Sequence, residues 1–160
     1  MADLTARIRD YWDRDAETYD RSPVHALTDP VEAAAWRAVL RRHLPAPPAR
    51  VLEAGAGTGA VTALLAEEGY RVTALDISEA MLGRARAKLA STDVEFVVAP
   101  ADAPPDGPFD AVVERNSLWT SPEPVSTLAA WRDATRPGGR LLVMEALHAR
   151  SGRPREAAAA

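Results

Sequence analysis

Nine residues, Val51-Leu52-Glu53-Ala54-Gly55-Ala56-Gly57-Thr58-Gly59, constrain the fold more than any other stretch. Apolar residues run into an acidic one, and three glycines then alternate with small residues. Val61, Leu64 and Leu65 follow at helical spacing. The pattern predicts a buried strand, a tight turn and a helix start. At Gly55 and Gly57 the backbone can take φ > 0 and a ligand can approach without meeting a Cβ. The unpaired N–H groups of the following helix then face that ligand.

The rest of the chain repeats the alternation. Arg50–Ala54 is the first expected strand, and Thr58–Glu68 a helix closed by Gly69. Arg71–Leu75 is a second strand ending at Asp76, with Ser78 an N-cap for the next helix and Met81 on its apolar face. Val94–Val98, Phe109–Val113 and Arg140–Glu145 are three further strands, with a helix over Pro122–Thr135 and a sharp turn at Pro137-Gly138-Gly139. Strands alternating with helices predict an α/β fold, a parallel sheet covered on both faces. The connection Ala99–Pro108 carries four prolines, which exclude a long helix. In a doubly wound order 3-2-1-4 it must cross about 14 Å. Ten extended residues reach about 33 Å, so the crossing needs no helix. Ligands of open α/β sheets sit where the strand order reverses. The glycine turn, Asp76 and Asp102 therefore converge on one crevice.

Ahead of this core, residues 1–48 are expected to form a helical lid segment. Asp3–Asp20 mixes charges with Tyr11, Trp12 and Tyr19, and a second helix starts at Thr28-Asp29-Pro30. Residues 49–148 form the binding core and 149–160 a flexible, alanine-rich tail. A net charge of −4 gives the whole chain no electrostatic footprint for nucleic acid or an anionic membrane. No cysteine occurs among 160 residues, which excludes disulfides and fits a cytoplasmic protein. No metal centre is expected. The charged N-terminus shows no signal peptide.

Several of these stretches together resemble the class I methyltransferases that use S-adenosylmethionine. Glu53-Ala54-Gly55-Ala56-Gly57-Thr58-Gly59 is similar to that family's first motif. The likeness continues through Leu75-Asp76, Ala101-Asp102-Ala103, Phe109-Asp110-Ala111-Val112-Val113 and Arg136-Pro137-Gly138-Gly139-Arg140-Leu141. Ala16-Glu17-Thr18-Tyr19-Asp20 and Arg115–Pro122 resemble the branch of quinone-biosynthesis C-methyltransferases. The resemblance implies a Rossmann-like doubly wound sheet of about five strands, order 3-2-1-4-5, with N-terminal helices. It implies methyl transfer from S-adenosylmethionine to a small-molecule acceptor. Gly55, Gly57 and Thr58 would meet the methionine portion, and Glu53 would organise the loop and the ammonium end. Asp76 would accept from both ribose hydroxyls, while Ile77 and Met81 pack on adenine. Asp102 would accept from the adenine amino group, flanked by Ala101 and Ala103. Tyr19 would cover the cofactor, and Arg115 and Asn116 would lie beside the methyl donor.

Two alternatives accompany this reading. Gly55-x-Gly57-x-x-Ala60 also fits a dinucleotide fingerprint, although Glu53 would do little for a pyrophosphate. The chain could also be an S-adenosylmethionine-binding partner without activity, because only 15 residues follow Glu145 where the family continues with further strands. A general base is needed only if the acceptor must lose a proton; Glu145 and His148, at the end of the fifth strand, are the candidates. The same shortness predicts that Leu141-Leu142-Val143-Met144 is an open edge, which invites a homodimer or another partner there.

Overall fold

The computed structural model describes residues 2–145. His148 and the tail expected over 149–160 lie outside them. The chain opens with α1 (Ala2–Asp15), a 3-10 turn (Tyr19–Arg21) and the short α2 (Pro23–Ala26). The core follows as α3 (Pro30–His43), β1 (Arg50–Ala54), α4 (Ala60–Glu67), β2 (Arg71–Asp76), α5 (Glu79–Lys88) and β3 (Glu95–Val98). It closes with β4 (Phe109–Arg115), a 3-10 turn (Leu118–Thr120), α6 (Pro124–Ala134) and β5 (Thr135–Met144). The five strands form one sheet in the order β3-β2-β1-β4-β5, every pair parallel. This is the Rossmann-like doubly wound sheet. The Ala99–Pro108 connection makes the return crossing without a helix.

Local chemistry explains the boundaries. Asp29 caps α3 by accepting from Val31 N, with Pro30 at the first helical position, where its missing N–H costs nothing. Ser78 caps α5 by accepting from Met81 N. Gly69 takes φ +87° after α4, a left-handed turn that suits glycine. β1 is almost continuously buried, as a central parallel strand must be. Leu40, Val51, Leu64, Leu65 and Val113 join α3 and α4 to one face of the sheet. On the other face Trp131 of α6 is fully buried among Leu52, Ala54, Leu75, Phe109 and Val112. At the end of the sheet away from the glycine turn, Asp110 accepts from Arg50 N (2.7 Å) and Arg136 Nε (2.5 Å), stapling three strands together.

Several boundaries differ from the sequence expectation by one or two residues, and three differences change what an element does. The first helix stops at Asp15, inside the charged and aromatic stretch Asp3–Asp20, and a 3-10 turn takes over at Tyr19. β4 runs two residues further, so that Arg115 ends the strand instead of following it. Pro137-Gly138-Gly139 is not a turn between helix and strand. β5 begins at Thr135, and these residues bulge from it while the register jumps from Phe109↔Thr135 to Ala111↔Arg140. Gly139 is close-packed there: a Cβ would lie 2.4 Å from Thr135 Cγ2.

Candidate functional site

A cavity, partly open to solvent, lies over the carboxyl ends of β1, β2 and β4. Its floor is the glycine turn. Gly55 and Gly57 line it with φ of +72° and +54°. The two glycines serve different ends. A Cβ on Gly55 would fall 2.3 Å from Ser117 Cβ, so this glycine lets the turn after β4 press against the one after β1. A Cβ on Gly57 would meet nothing within 4 Å. It would project into open space, so Gly57 leaves bare backbone for a ligand.

Asp76 ends β2 beside this floor. Its Oδ2 accepts from Gly57 N and its Oδ1 from Ser78 N, both at 2.8 Å. Burial pushes its carboxyl above the usual carboxylate range, although N–H groups of Ser78, Gly57 and Ile77 work against that. Ile77 and Met81 continue the same wall. Ala101 and Asp102 form the opposite wall on the crossing loop, and Trp131 Nε1 donates to Ala101 O at 2.7 Å. Trp131 is therefore a packing residue that also fixes the loop.

Arg115 and Asn116 line the cavity from the end of β4, and Tyr19 and Trp12 roof it. Arg115 donates through Nη2 to Val24 O at 2.7 Å and lies 5.0 Å over the Trp36 ring. Tyr19 stacks on His25 with centroids 4.2 Å apart and meets Trp12 edge-on at 6.1 Å. Burial raises its phenol, and the nearby Arg115 charge opposes that.

Three of the expected binding residues sit outside the cavity wall. Glu53 is buried behind it, accepting from Thr62 Oγ1 at 2.6 Å. Burial pushes its carboxyl up to about 8, opposed by the Thr62 hydrogen bond and reinforced by the Asp76 charge. Thr58 turns away to donate from Oγ1 to Asp20 Oδ1 at 2.6 Å. Ala103 closes a turn by donating from N to Pro100 O at 3.0 Å. Glu145 lies outside the wall as well, and its Oε1 accepts from Trp119 N at 3.0 Å. His148 lies outside the described residues.

Sequence reasoning did not find the polar ties that hold the roof down. Asp13 of α1 reaches across to α5, its Oδ1 accepting from Ser78 Oγ (2.5 Å) and Ala80 N (3.2 Å). Asp20 pairs with Lys88 Nζ at 2.6 Å. Burial works to raise the Asp20 carboxyl, but hydrogen bonds from Lys88 and Thr58 outweigh it and hold the group low. Glu114, fully buried at the end of β4, accepts from Ser117 N and from Leu118 N (3.1 Å). It thereby fixes the turn that presses on Gly55. Burial raises the Glu114 carboxyl despite these two donors. Acidic residues three or four positions before an unsatisfied turn are a visible signal, but the fold alone says which turn they serve.

Comparison with known proteins fits this geometry. A family model described as a methyltransferase domain matches residues 52–143. The chain is 36% identical over 151 residues to a demethylmenaquinone methyltransferase of Clavibacter sepedonicus, covering 90% of this chain and 61% of that protein. It is 38% identical over 105 residues to a trans-aconitate 2-methyltransferase of Streptomyces avermitilis, covering 61% and 39%. Phosphoethanolamine N-methyltransferase 1 of Haemonchus contortus, solved with phosphoethanolamine and S-adenosylhomocysteine, superposes with a TM-score of 0.70 at 22% identity. That match covers 88% of this chain and 32% of the other, and is a likeness of fold. The chain thus spans about three-fifths of the length of the demethylmenaquinone relatives it matches.

Proposed function

Because the chain belongs to the methyltransferase-domain family of the class I, S-adenosylmethionine-dependent kind, we propose that its cavity binds S-adenosylmethionine and directs a methyl group to a small-molecule acceptor. The observation that carries this reading is the pairing of Asp76 with the bare backbone of Gly57 at the open end of the sheet. Asp76 offers both carboxylate oxygens to a ribose diol, each already oriented by a backbone N–H. Ile77 and Met81 supply an apolar bed for adenine, and Asp102 an acceptor at its edge. Gly55 and Gly57 let the methionine chain lie against backbone, with Asn116 and Arg115 alongside. Glu53 supports the loop from behind.

When bound, S-adenosylmethionine supplies a methyl group on a sulfonium sulfur. What remains for the protein is alignment and exclusion of water. Trp12 and Tyr19 provide the cover, and Asp13 and Asp20 hold that cover to α5. The rigid turn at Ser117, fixed by Glu114, faces the cofactor side of the cavity. Glu145 is oriented in this arrangement by the Trp119 N–H that its Oε1 accepts from. The dinucleotide alternative falls with the family match. No helix among the described residues is long and apolar enough to cross a membrane, and the cysteine-free composition supports a cytoplasmic setting.

Calorimetric titration with S-adenosylhomocysteine tests the binding, with one site per chain and micromolar affinity expected. No heat at millimolar ligand would end the reading. The lid role of residues 1–48 is tested with the same ligand by hydrogen exchange. Amides from Asp10 to Arg21 should exchange more slowly with ligand bound, because lid segments come from the less stable parts of a fold. Equal exchange in both states would make this a fixed packing element. For the partner, we infer that the outer edge of β5 pairs with β5 of a second copy. Among the described residues no strand covers that edge. Leu141 and Val143 remain 40% and 39% exposed beside it. Light scattering at micromolar concentration should give a dimer, and Val143→Lys a monomer. A wild-type monomer removes this inference and leaves the cofactor site untouched.

A further inference from the structure

A second, wider cleft opens beside the cofactor cavity, between α1 and the turn before α6. The two spaces share a wall made by Ile8, Trp12 and residues 120–122. Two features set it apart. The first is aromatic exposure. Tyr11 and Trp119 are the two aromatics among the exposed large apolar side chains of the described residues, at 55% and 63%, and both line this cleft. Neither ring is loose. Trp119 donates from Nε1 to Asn116 O at 2.9 Å, and Tyr11 packs edge-on against Trp12 at 5.0 Å. Exposed rings held in place, next to Leu4 and Ile8, form a preorganised apolar surface.

The second feature is charge. Arg7 and Arg14 line the cleft from α1. They lie seven residues apart, hence on one face of the helix, with Tyr11 between them. Both are exposed, and among the described residues neither forms an ion pair. Asp10, the acid in the lining, lies 4.0 Å from Arg9 instead. Two exposed guanidinium groups thus line the same cleft as the two exposed aromatic rings. Guanidinium forks match carboxylate and phosphate oxygens and also stack on rings.

We propose that this cleft is the acceptor subsite, and that the acceptor is a molecule with a flat apolar body carrying an anionic group. Tyr11, Trp12 and Trp119 hold the body, and Arg7 and Arg14 hold the anion at the mouth. The shared wall delivers the other end of the acceptor to the cofactor cavity. The proposal rests on the methyltransferase reading, since it takes the cofactor cavity as the source of the methyl group.

The test uses the full chain saturated with S-adenosylhomocysteine and two fluorescent probes of the same shape. 8-Anilinonaphthalene-1-sulfonate is flat, apolar and anionic; N-phenyl-1-naphthylamine is its neutral counterpart. The sulfonate should bind at one site. Arg7→Gln with Arg14→Gln should weaken the sulfonate about tenfold, matching loss of a charge-assisted contact, and the neutral probe less than twofold. Trp119→Ala should weaken both. S-adenosylhomocysteine affinity should not change in the arginine variant, because neither arginine lines its cavity; this also reports that the variant is folded. Equal sulfonate binding by wild type and the arginine variant overturns the proposal. Loss of S-adenosylhomocysteine binding by the wild type overturns the methyltransferase reading instead.

Discussion

Asp76→Ala is expected to weaken S-adenosylhomocysteine binding by about 100-fold or more. Losing a charge-assisted, two-pronged contact to the ribose costs about 2–3 kcal/mol, or about 30- to 150-fold. The structure adds to that figure. The same carboxylate accepts from Gly57 N and Ser78 N, so its removal also frees the glycine turn that the ligand must lie against. Asparagine is no remedy. Both oxygens of Asp76 face N–H donors, and the side-chain NH₂ of Asp76→Asn would confront one of them. That variant should therefore behave more like alanine than like wild type. Titration calorimetry measures the affinities, and thermal unfolding without ligand shows that the variants are folded. Binding within threefold of wild type would remove the ribose assignment.

Glu53→Gln should change how stability depends on pH. Burial lifts the folded-state carboxyl from about 4.5 to about 8. Between those values the folded protein holds a proton that the unfolded chain has released. Stability from this group is fully present below pH 4.5 and is lost as pH rises through 8. The slope is about 1.4 kcal/mol per pH unit, which gives a loss of about 2–3 kcal/mol from pH 5 to pH 7. Glutamine keeps an acceptor for Thr62 and cannot ionise, so that loss should vanish. Buried Asp76 and Glu114 also have raised carboxyls and slope the same way. The difference between wild type and variant isolates Glu53. Urea unfolding at pH 5, 6, 7 and 8 measures it. A difference that stays constant across this range would mean that Glu53 is ionised in the folded protein.

The parts of the fold visible in the sequence were those set by local chemistry. The strand before Gly55, the caps at Asp29 and Ser78, and the left-handed Gly69 each follow from a few neighbouring residues. The crossing without a helix followed from four prolines and a distance. Most of the candidate wall was legible too, because the glycine turn, Asp76 and the Ala101-Asp102 pair lie at strand ends that the alternation already located. The roof was not. Asp13 meets Ser78 across 65 residues and Asp20 meets Thr58 across 38, and nothing in the intervening sequence signals either contact. The bulge at Pro137–Gly139 was missed for a related reason. Proline and two glycines announce a turn, and only the pairing with β4 converts it into part of a strand. Thr58 followed the motif but not the geometry, because Asp20 offered its hydroxyl a charged partner.

Trp131 lies in the middle of the core, yet its indole N–H holds the carbonyl of Ala101 in the cavity wall. Shape in one place is thus tied to selectivity in another. A proline-rich loop anchored only at its ends would drift, and each excursion would alter the contour presented to the cavity. Pinned in its first half to α6, it keeps one contour. The route by which such a protein could come to accept a different ligand therefore runs through its interior. Substitutions at 101 and 102 alone would leave the anchor in place, whereas repacking around position 131 would reset the wall from behind.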